Sequence, residues 1–153
     1  MEQLIVGKSL EMQLAALLDT LPSDATVSYM VTRLNEGEEA TIVASSKETI
    51  VHTGASMVKT LILEYVFHLA AQEQLDLNDT IALSRSPRVE GAGALMELVG
   101  NHSFSYLELC RLMMVLSDNW ATNLLIQALG MENINARAEQ LGLEHFEINR
   151  MMM

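Results

Sequence analysis

Apolar positions along this chain change period several times. From Ser9 onward, Leu10, Leu14, Leu17 and Leu18 fall on one face of a helix of about three turns, capped by Ser9 and ended before Pro22. The segment Ala25–Leu34 switches to alternation, with Val27, Tyr29 and Val31 set against Ser28, Met30 and Thr32. Asn35-Glu36-Gly37-Glu38 reads as a turn and Ala40–Ala44 as a second strand, so the pattern predicts a hairpin. After a short link, the residues from about Ser56 to Gln74 are apolar nearly all round, which predicts a central, buried helix.

Further on, Leu75–Thr80 reads as a turn, Ile81-Ala82-Leu83 as a brief extended piece, and Ser84–Gly93 as loop. Ala94–Val99 is a candidate short helix. Ser105 with Glu108 forms a capping-box pattern that opens a long helix through Leu116. Asn119–Leu129 and Glu132–Leu141 read as two more, ended by Gly130 and Gly142. The tail from Leu143 has no clear period. A lone two-stranded hairpin is marginal in water, so this pattern expects more strands from elsewhere. The predicted class is α+β, mostly helical.

Composition narrows the picture. With 153 residues, 50% of them hydrophobic and 19% charged, the chain can build a core and is one domain or part of a larger one. A net charge of −11 argues against nucleic-acid partners and against an anionic membrane surface. No apolar run is long enough for a membrane span. Met1–Lys8 lacks the basic and apolar regions of a signal peptide. The expected location is therefore cytoplasmic, or periplasmic or secreted if a leader has been removed. Cys110 alone cannot form an internal disulfide and reads as a core residue. His52, His68, His102 and His145 show no metal-ligand spacing, so neither a metal nor a cofactor is expected.

Two short motifs carry candidate chemistry. In Ser56-Met57-Val58-Lys59 the hydroxyl and amine are three apart, on one face of a helix start. Ser56 would sit in the first turn, where free N–H groups favour developing negative charge. A buried Lys59 would have a lowered pKa and could act as a base, which is nucleophile chemistry with lysine in place of histidine. The plainer alternative is a capping Ser56 and a solvated Lys59. In Ser117-Asp118-Asn119 a hydroxyl and an amide two apart can point into one cleft while Asp118 turns away to tie the turn. An N-cap cluster is the alternative, and both can hold together.

Ser-x-x-Lys followed by Ser-Asp-Asn resembles the class A β-lactamases and penicillin-binding proteins. The order of hairpin and Ser-x-x-Lys is similar to that family, as are Gly91–Leu95, Ala121–Ile126 and Ile134–Leu143. The resemblance implies a β-lactamase/transpeptidase-like fold, here its N-terminal part. Residues 1–55 would be the helix and hairpin of the α/β part and 56–153 a mainly helical subdomain. It implies a serine hydrolase acting on β-lactam amide bonds. Ser56 would be the acylated nucleophile and an oxyanion donor through its N–H, and Lys59 would activate it. Ser117 would relay a proton toward the lactam nitrogen, Asn119 would hold the substrate side chain, and Asp118 would be structural.

Two departures qualify that implication. The family's Lys-Thr-Gly strand, which supplies a second oxyanion donor and a grip on the substrate carboxylate, is absent. If Arg150 matches the arginine of the Ω-loop, Met152 falls about where a deacylating glutamate belongs, and a thioether cannot serve as that base. The rival expectations are a penicillin-binding or sensor-like protein that acylates without turnover, and an inactive truncated interaction module. Glutaminases and peptidases with Ser-x-x-Lys fit the Ser-Asp-Asn flanks less well. An open strand edge further predicts a dimer, strand exchange or a separately chained C-terminal half.

Overall fold

The computed structural model describes residues 9–153 except Asn35 and Glu38, so the readings of Met1–Lys8 and of those two turn positions lie outside the described residues. The chain divides into two compact units, one ending at His52 and the other spanning Thr53–Met153.

In the first unit, helix α1 (Leu10–Leu18) starts as expected. The Ser9 side chain accepts the Met12 N–H at 3.4 Å, satisfying one of the free donors of the first turn. It packs beside strand β2, yet no α1 residue is fully buried and Leu10 and Leu17 of the predicted apolar face stay exposed. Strands β1 (Tyr29–Arg33) and β2 (Thr41–Ser46) form the predicted antiparallel hairpin, with Tyr29 opposite Ser46 and Arg33 opposite Thr41. A register shift between Val31 and Thr32 interrupts the alternation there. The paired region starts later than the apolar pattern and ends later on the second strand. Among the described residues of this unit Ala44 is the buried one, and Met30, Leu34 and Ile42 remain exposed.

The second unit holds the main core. Helix α2 (Val58–Ala71) buries Lys59, Leu61, Ile62 and Val66 on one side, while Phe67 stays 43% exposed. The expectation of a helix buried all round is thus met elsewhere, in α4 (Asn119–Leu129), where every residue from Trp120 to Ile126 is buried. Helix α2 also stops at Ala71 rather than Gln74, where Glu73 turns to a positive φ of 57°. Helices α3 (Tyr106–Val115) and α5 (Met131–Gln140) pack with α2 and α4 around Leu109, Met113, Leu124, Leu125 and Ile134.

The capping box forms in full. Ser105 Oγ accepts the Glu108 N–H, and Glu108 accepts the Ser105 N–H. Gly130, at φ 85°, both ends α4 and starts α5. The extended piece predicted at Ile81–Leu83 forms one residue earlier, as part of a second small sheet whose other strand and pairing the pattern did not show. Strand β3 (Thr80–Ala82) pairs antiparallel with β4 (Ser103–Ser105), with Ile81 opposite Phe104. Three-residue strands are too short to show a period of two. Ala94–Val99 contains only one 3₁₀ turn, Leu95–Glu97. The fold of these units is α+β with helices predominant. Among the described residues, no helix is long and apolar enough to cross a membrane.

Candidate active site

Ser56 lies just before α2, in a 3₁₀ turn over Ala55–Met57, rather than in the first α-helical turn. Ala55 has a positive φ of 43°, an uncommon state for a residue with a Cβ. Ser56 makes no capping hydrogen bond, and Lys59 is only 2% exposed. Both observations run against the plainer alternative of a cap and a solvated lysine.

The second motif meets the first directly. Ser56 Oγ lies 3.1 Å from Ser117 Oγ. Lys59 Nζ donates to Ser117 O at 2.6 Å, to Ser117 Oγ at 2.8 Å and to Asn119 Oδ1 at 3.0 Å, with Ser56 Oγ at 3.4 Å. All four sequence-predicted site residues are therefore brought together, across about 60 residues of chain. The carbonyl of Ser117 and the amide oxygen of Asn119 can only accept, so they claim two of the amine's protons. The remaining position of Nζ faces the two serine hydroxyls. In a neutral amine that position is the lone pair, so a proton can reach it from Ser56 directly or through Ser117.

Burial lowers the Lys59 pKa from its ordinary value because a charged amine is poorly solvated there, and the negative charge of Asp118 partly opposes this. A lowered pKa is what a lysine needs in order to act as a base.

The turn that presents Ser117 is strained and firmly held. Ser117 sits at φ 54°, a conformation that costs about 1–3 kcal/mol for a non-glycine residue. Asp118 is the N-cap of α4 and is 1% exposed; its Oδ1 accepts the Ala121 N–H at 2.9 Å. Its Oδ2 accepts the N–H groups of Ala94 at 2.7 Å and Leu95 at 2.9 Å. The Asn119 N–H donates to Ala92 O at 2.9 Å. Both expectations for this motif, a tied turn and a helix cap, hold at once. Gly93 lies against Asp118 so closely that a Cβ there would stand 2.3 Å from the carboxyl group.

Sequence reasoning missed two asparagine clamps. Asn123, one turn beyond Asn119 on α4, accepts the Met152 N–H at 2.8 Å and donates to Met152 O at 2.9 Å. Asn135 holds the backbone of Ile148 in the same way, at 2.9 Å for both bonds. A buried amide that pairs with both backbone groups of one residue fixes an irregular segment as a sheet neighbour would. The spacing of Asn119 and Asn123 was a signal for the first clamp; the second had none. Beside Asn123 a cavity of about 350 Å³ is lined by Pro87, Val89, Gln127 and Met151 to Met153, with Arg88 and Glu90 at its wall.

Elsewhere the candidates are quiet. Cys110 is buried in the core and its thiol is pushed up to about 11 by desolvation. His52 Nε2 lies 2.7 Å from Ser28 Oγ within the first unit. Among the described residues no group of histidine, cysteine and acidic side chains is arranged to hold a metal ion.

The profile of the beta-lactamase enzyme family matches residues 9–153. The chain is 31% identical over 97 residues to beta-lactamase BRO-1 of Moraxella catarrhalis, covering 59% of this chain and 31% of that protein. The structure of PBP-A superposes with a TM-score of 0.74 at 26% identity, over 92% of this chain and 52% of the other. An acyl-enzyme complex of a PBP-A mutant with penicillin G gives 0.77 at 26% identity, with the same coverage. A beta-lactamase from Sphaerobacter thermophilus gives 0.70 at 27% identity, over 80% and 45%. The chain thus spans about half the length of these solved structures and less than a third of the curated relative.

Proposed function

The chain belongs to the beta-lactamase enzyme family, and from that premise we propose that it is a class A-like serine hydrolase that opens β-lactam amide bonds through an acyl-enzyme on Ser56. The observation that carries this reading is the triangle of Ser56 Oγ, Ser117 Oγ and Lys59 Nζ, with sides of 3.1, 2.8 and 3.4 Å.

Neutral Lys59 takes the Ser56 proton, directly or by way of Ser117, as Ser56 Oγ bonds to the lactam carbonyl carbon. The carbonyl oxygen becomes an oxyanion, which the Ser56 N–H receives. When the tetrahedral adduct collapses, the carbon–nitrogen bond breaks and the nitrogen takes a proton from Ser117 Oγ. Ser117 recovers a proton from the Lys59 ammonium, which returns to the neutral amine. The products of this half-reaction are a Ser56 ester and an N–H on the opened ring. Asn119, already fixed by Lys59 and by the Ala92 carbonyl, is the proposed contact to the substrate side chain.

A second reading concerns the next step. Hydrolysis of the ester needs a base for the attacking water, and if Arg150 matches the arginine of the Ω-loop, Met152 falls about where the family's glutamate belongs. Asn123 pins the Met152 backbone through both its N–H and its C=O, which supports a fixed position for that stretch of backbone beside α4. A protein that is acylated by penicillins and releases them slowly follows from this.

Intact-mass measurement after incubation with a penicillin tests both readings, with Ser56→Ala as control. A persistent adduct confined to Ser56 supports acylation with slow release. Absence of an adduct together with turnover of a colour-change cephalosporin supports the hydrolase. Silence in both assays overturns the proposal.

A further inference from the structure

We propose that Asp118 is a positioning residue whose buried carboxylate serves as the counter-charge of the Lys59 amine without bonding to it. This rests on the reading of Lys59 as the base. Asp118 stands between the two residues that receive the amine, Ser117 and Asn119. Yet both of its own oxygens are turned away, onto the N–H groups of Ala94, Leu95 and Ala121. The amine therefore hydrogen-bonds only neutral groups, while a negative charge is held rigidly one residue away. A direct ion pair would hold Lys59 as an ammonium and disable it as a base. No counter-charge at all would leave a protonated amine stranded in the core after each proton transfer. The indirect placement lies between these extremes.

Among the described residues, the charged side chains on the elements packed around Lys59 are otherwise engaged or exposed, Glu90 on the loop beside Asn119 being one of the exposed ones. Along α4 from Asn119 to Leu129 there is no acidic or basic side chain. On α2 itself, Glu64 is engaged by Arg137 of α5 in a bidentate pair; His68 lies toward the far end of the helix, in a ring stack with Tyr65. On α5, Glu132 and Glu139 are exposed. On α3, Glu108 is tied to Ser105, Arg111 is exposed, and Cys110 keeps its proton below about pH 11. The carboxylate's position depends in turn on Gly93, where any side chain would strike it.

The test reads Lys59 itself, without substrate. Lys8, Lys47 and Lys59 are the lysines of the chain, so a ¹³C-lysine titration by NMR is assignable with Lys59→Met. In Asp118→Asn the Lys59 titration moves to lower pH, because removing the negative charge disfavours the ammonium. An unmoved titration in a folded variant overturns the inference. If Asp118→Asn does not fold, the wild-type titration is repeated from low to high salt. A buried counter-charge leaves it in place; a downward shift with salt assigns the compensation to exposed carboxylates and overturns the inference. Failure of wild-type protein to be acylated would instead remove the proposed function, and the titration would still report on Asp118.

Discussion

Replacing Lys59 with methionine separates its chemistry from its place in the core. The side chain is 2% exposed, and its amine satisfies Ser117 O and Asn119 Oδ1, two groups that can only accept. Methionine keeps much of the shape and strands both acceptors, at roughly 1–3 kcal/mol each. Against this, the variant no longer desolvates an amine on folding, a saving of several kcal/mol when the amine is charged. The two effects are of similar size and opposite sign, so the variant folds with a melting temperature near that of the wild type at neutral pH. Acylation, by contrast, loses the base. A positioned base is worth about 10²–10⁴-fold, or roughly 3–5 kcal/mol of barrier. The assay is the second-order rate of adduct formation with a penicillin, followed by intact mass beside a melting curve of the same sample. An adduct forming on Lys59→Met within tenfold of the wild-type rate would refute the role given to the amine.

The same pair of proteins carries a pH signature. Because the Lys59 pKa is lowered in the folded state, the unfolded chain binds more protons at this site between that lowered value and the ordinary lysine value of 10.5. Wild-type stability therefore rises with pH through that window relative to Lys59→Met, and the gain disappears as pH falls through the lowered value. Cys110 acts in the opposite sense. Its thiol is raised from 9.0 to about 11 on folding, so its contribution is present below pH 9 and lost as pH rises toward 11. Both proteins share Cys110, and the difference between them isolates Lys59.

Three further outcomes are expected. Met152→Glu puts a carboxylate on a residue whose backbone Asn123 already clamps; the penicillin adduct should shorten in lifetime, read by intact mass over time, with Ser56→Ala blank throughout. Gly93→Ala forces a Cβ to 2.3 Å from the Asp118 carboxyl at a φ of 129°, so it should destabilise by several kcal/mol, on the order of a strained and overpacked site, in urea unfolding. Asn135→Ala removes both bonds to Ile148 in the tail and should cost about 1–3 kcal/mol in urea unfolding while leaving the rate of acylation at Ser56 within a few-fold.

Local signals carried a large part of this molecule. Ser9, Ser105 with Glu108, Gly130 and Gly142 marked helix ends because capping is chemistry among residues a few positions apart, and each boundary fell within a residue or two. The hairpin was legible from alternation over a long enough run. Of the second sheet only β3 was legible, as the extended piece at Ile81–Leu83; its pairing with β4 was not, since the partners are separated by more than 20 residues. Nor could the pattern tell which apolar helix lies deepest. Helices α2 and α4 are both rich in aliphatic residues, and only packing made α4 the one enclosed on all sides.

The same division runs through the candidate site. The residue types at Ser56, Lys59, Ser117 and Asn119, and the turn between Ser117 and Asn119, were written in two short motifs that could be read without coordinates. What those motifs could not contain was their meeting. The 3.1 Å approach of two hydroxyls and the 2.6 Å bond from Lys59 to the Ser117 carbonyl exist only because α2, α3 and α4 pack around one core. Burial of Lys59 and the anchoring of Asp118 on the Gly93 loop arise in the same way. Capping and periodicity act over a few residues and are visible in sequence; desolvation, electrostatic compensation and steric exclusion depend on neighbours the chain supplies from far away, and tertiary structure alone decides them.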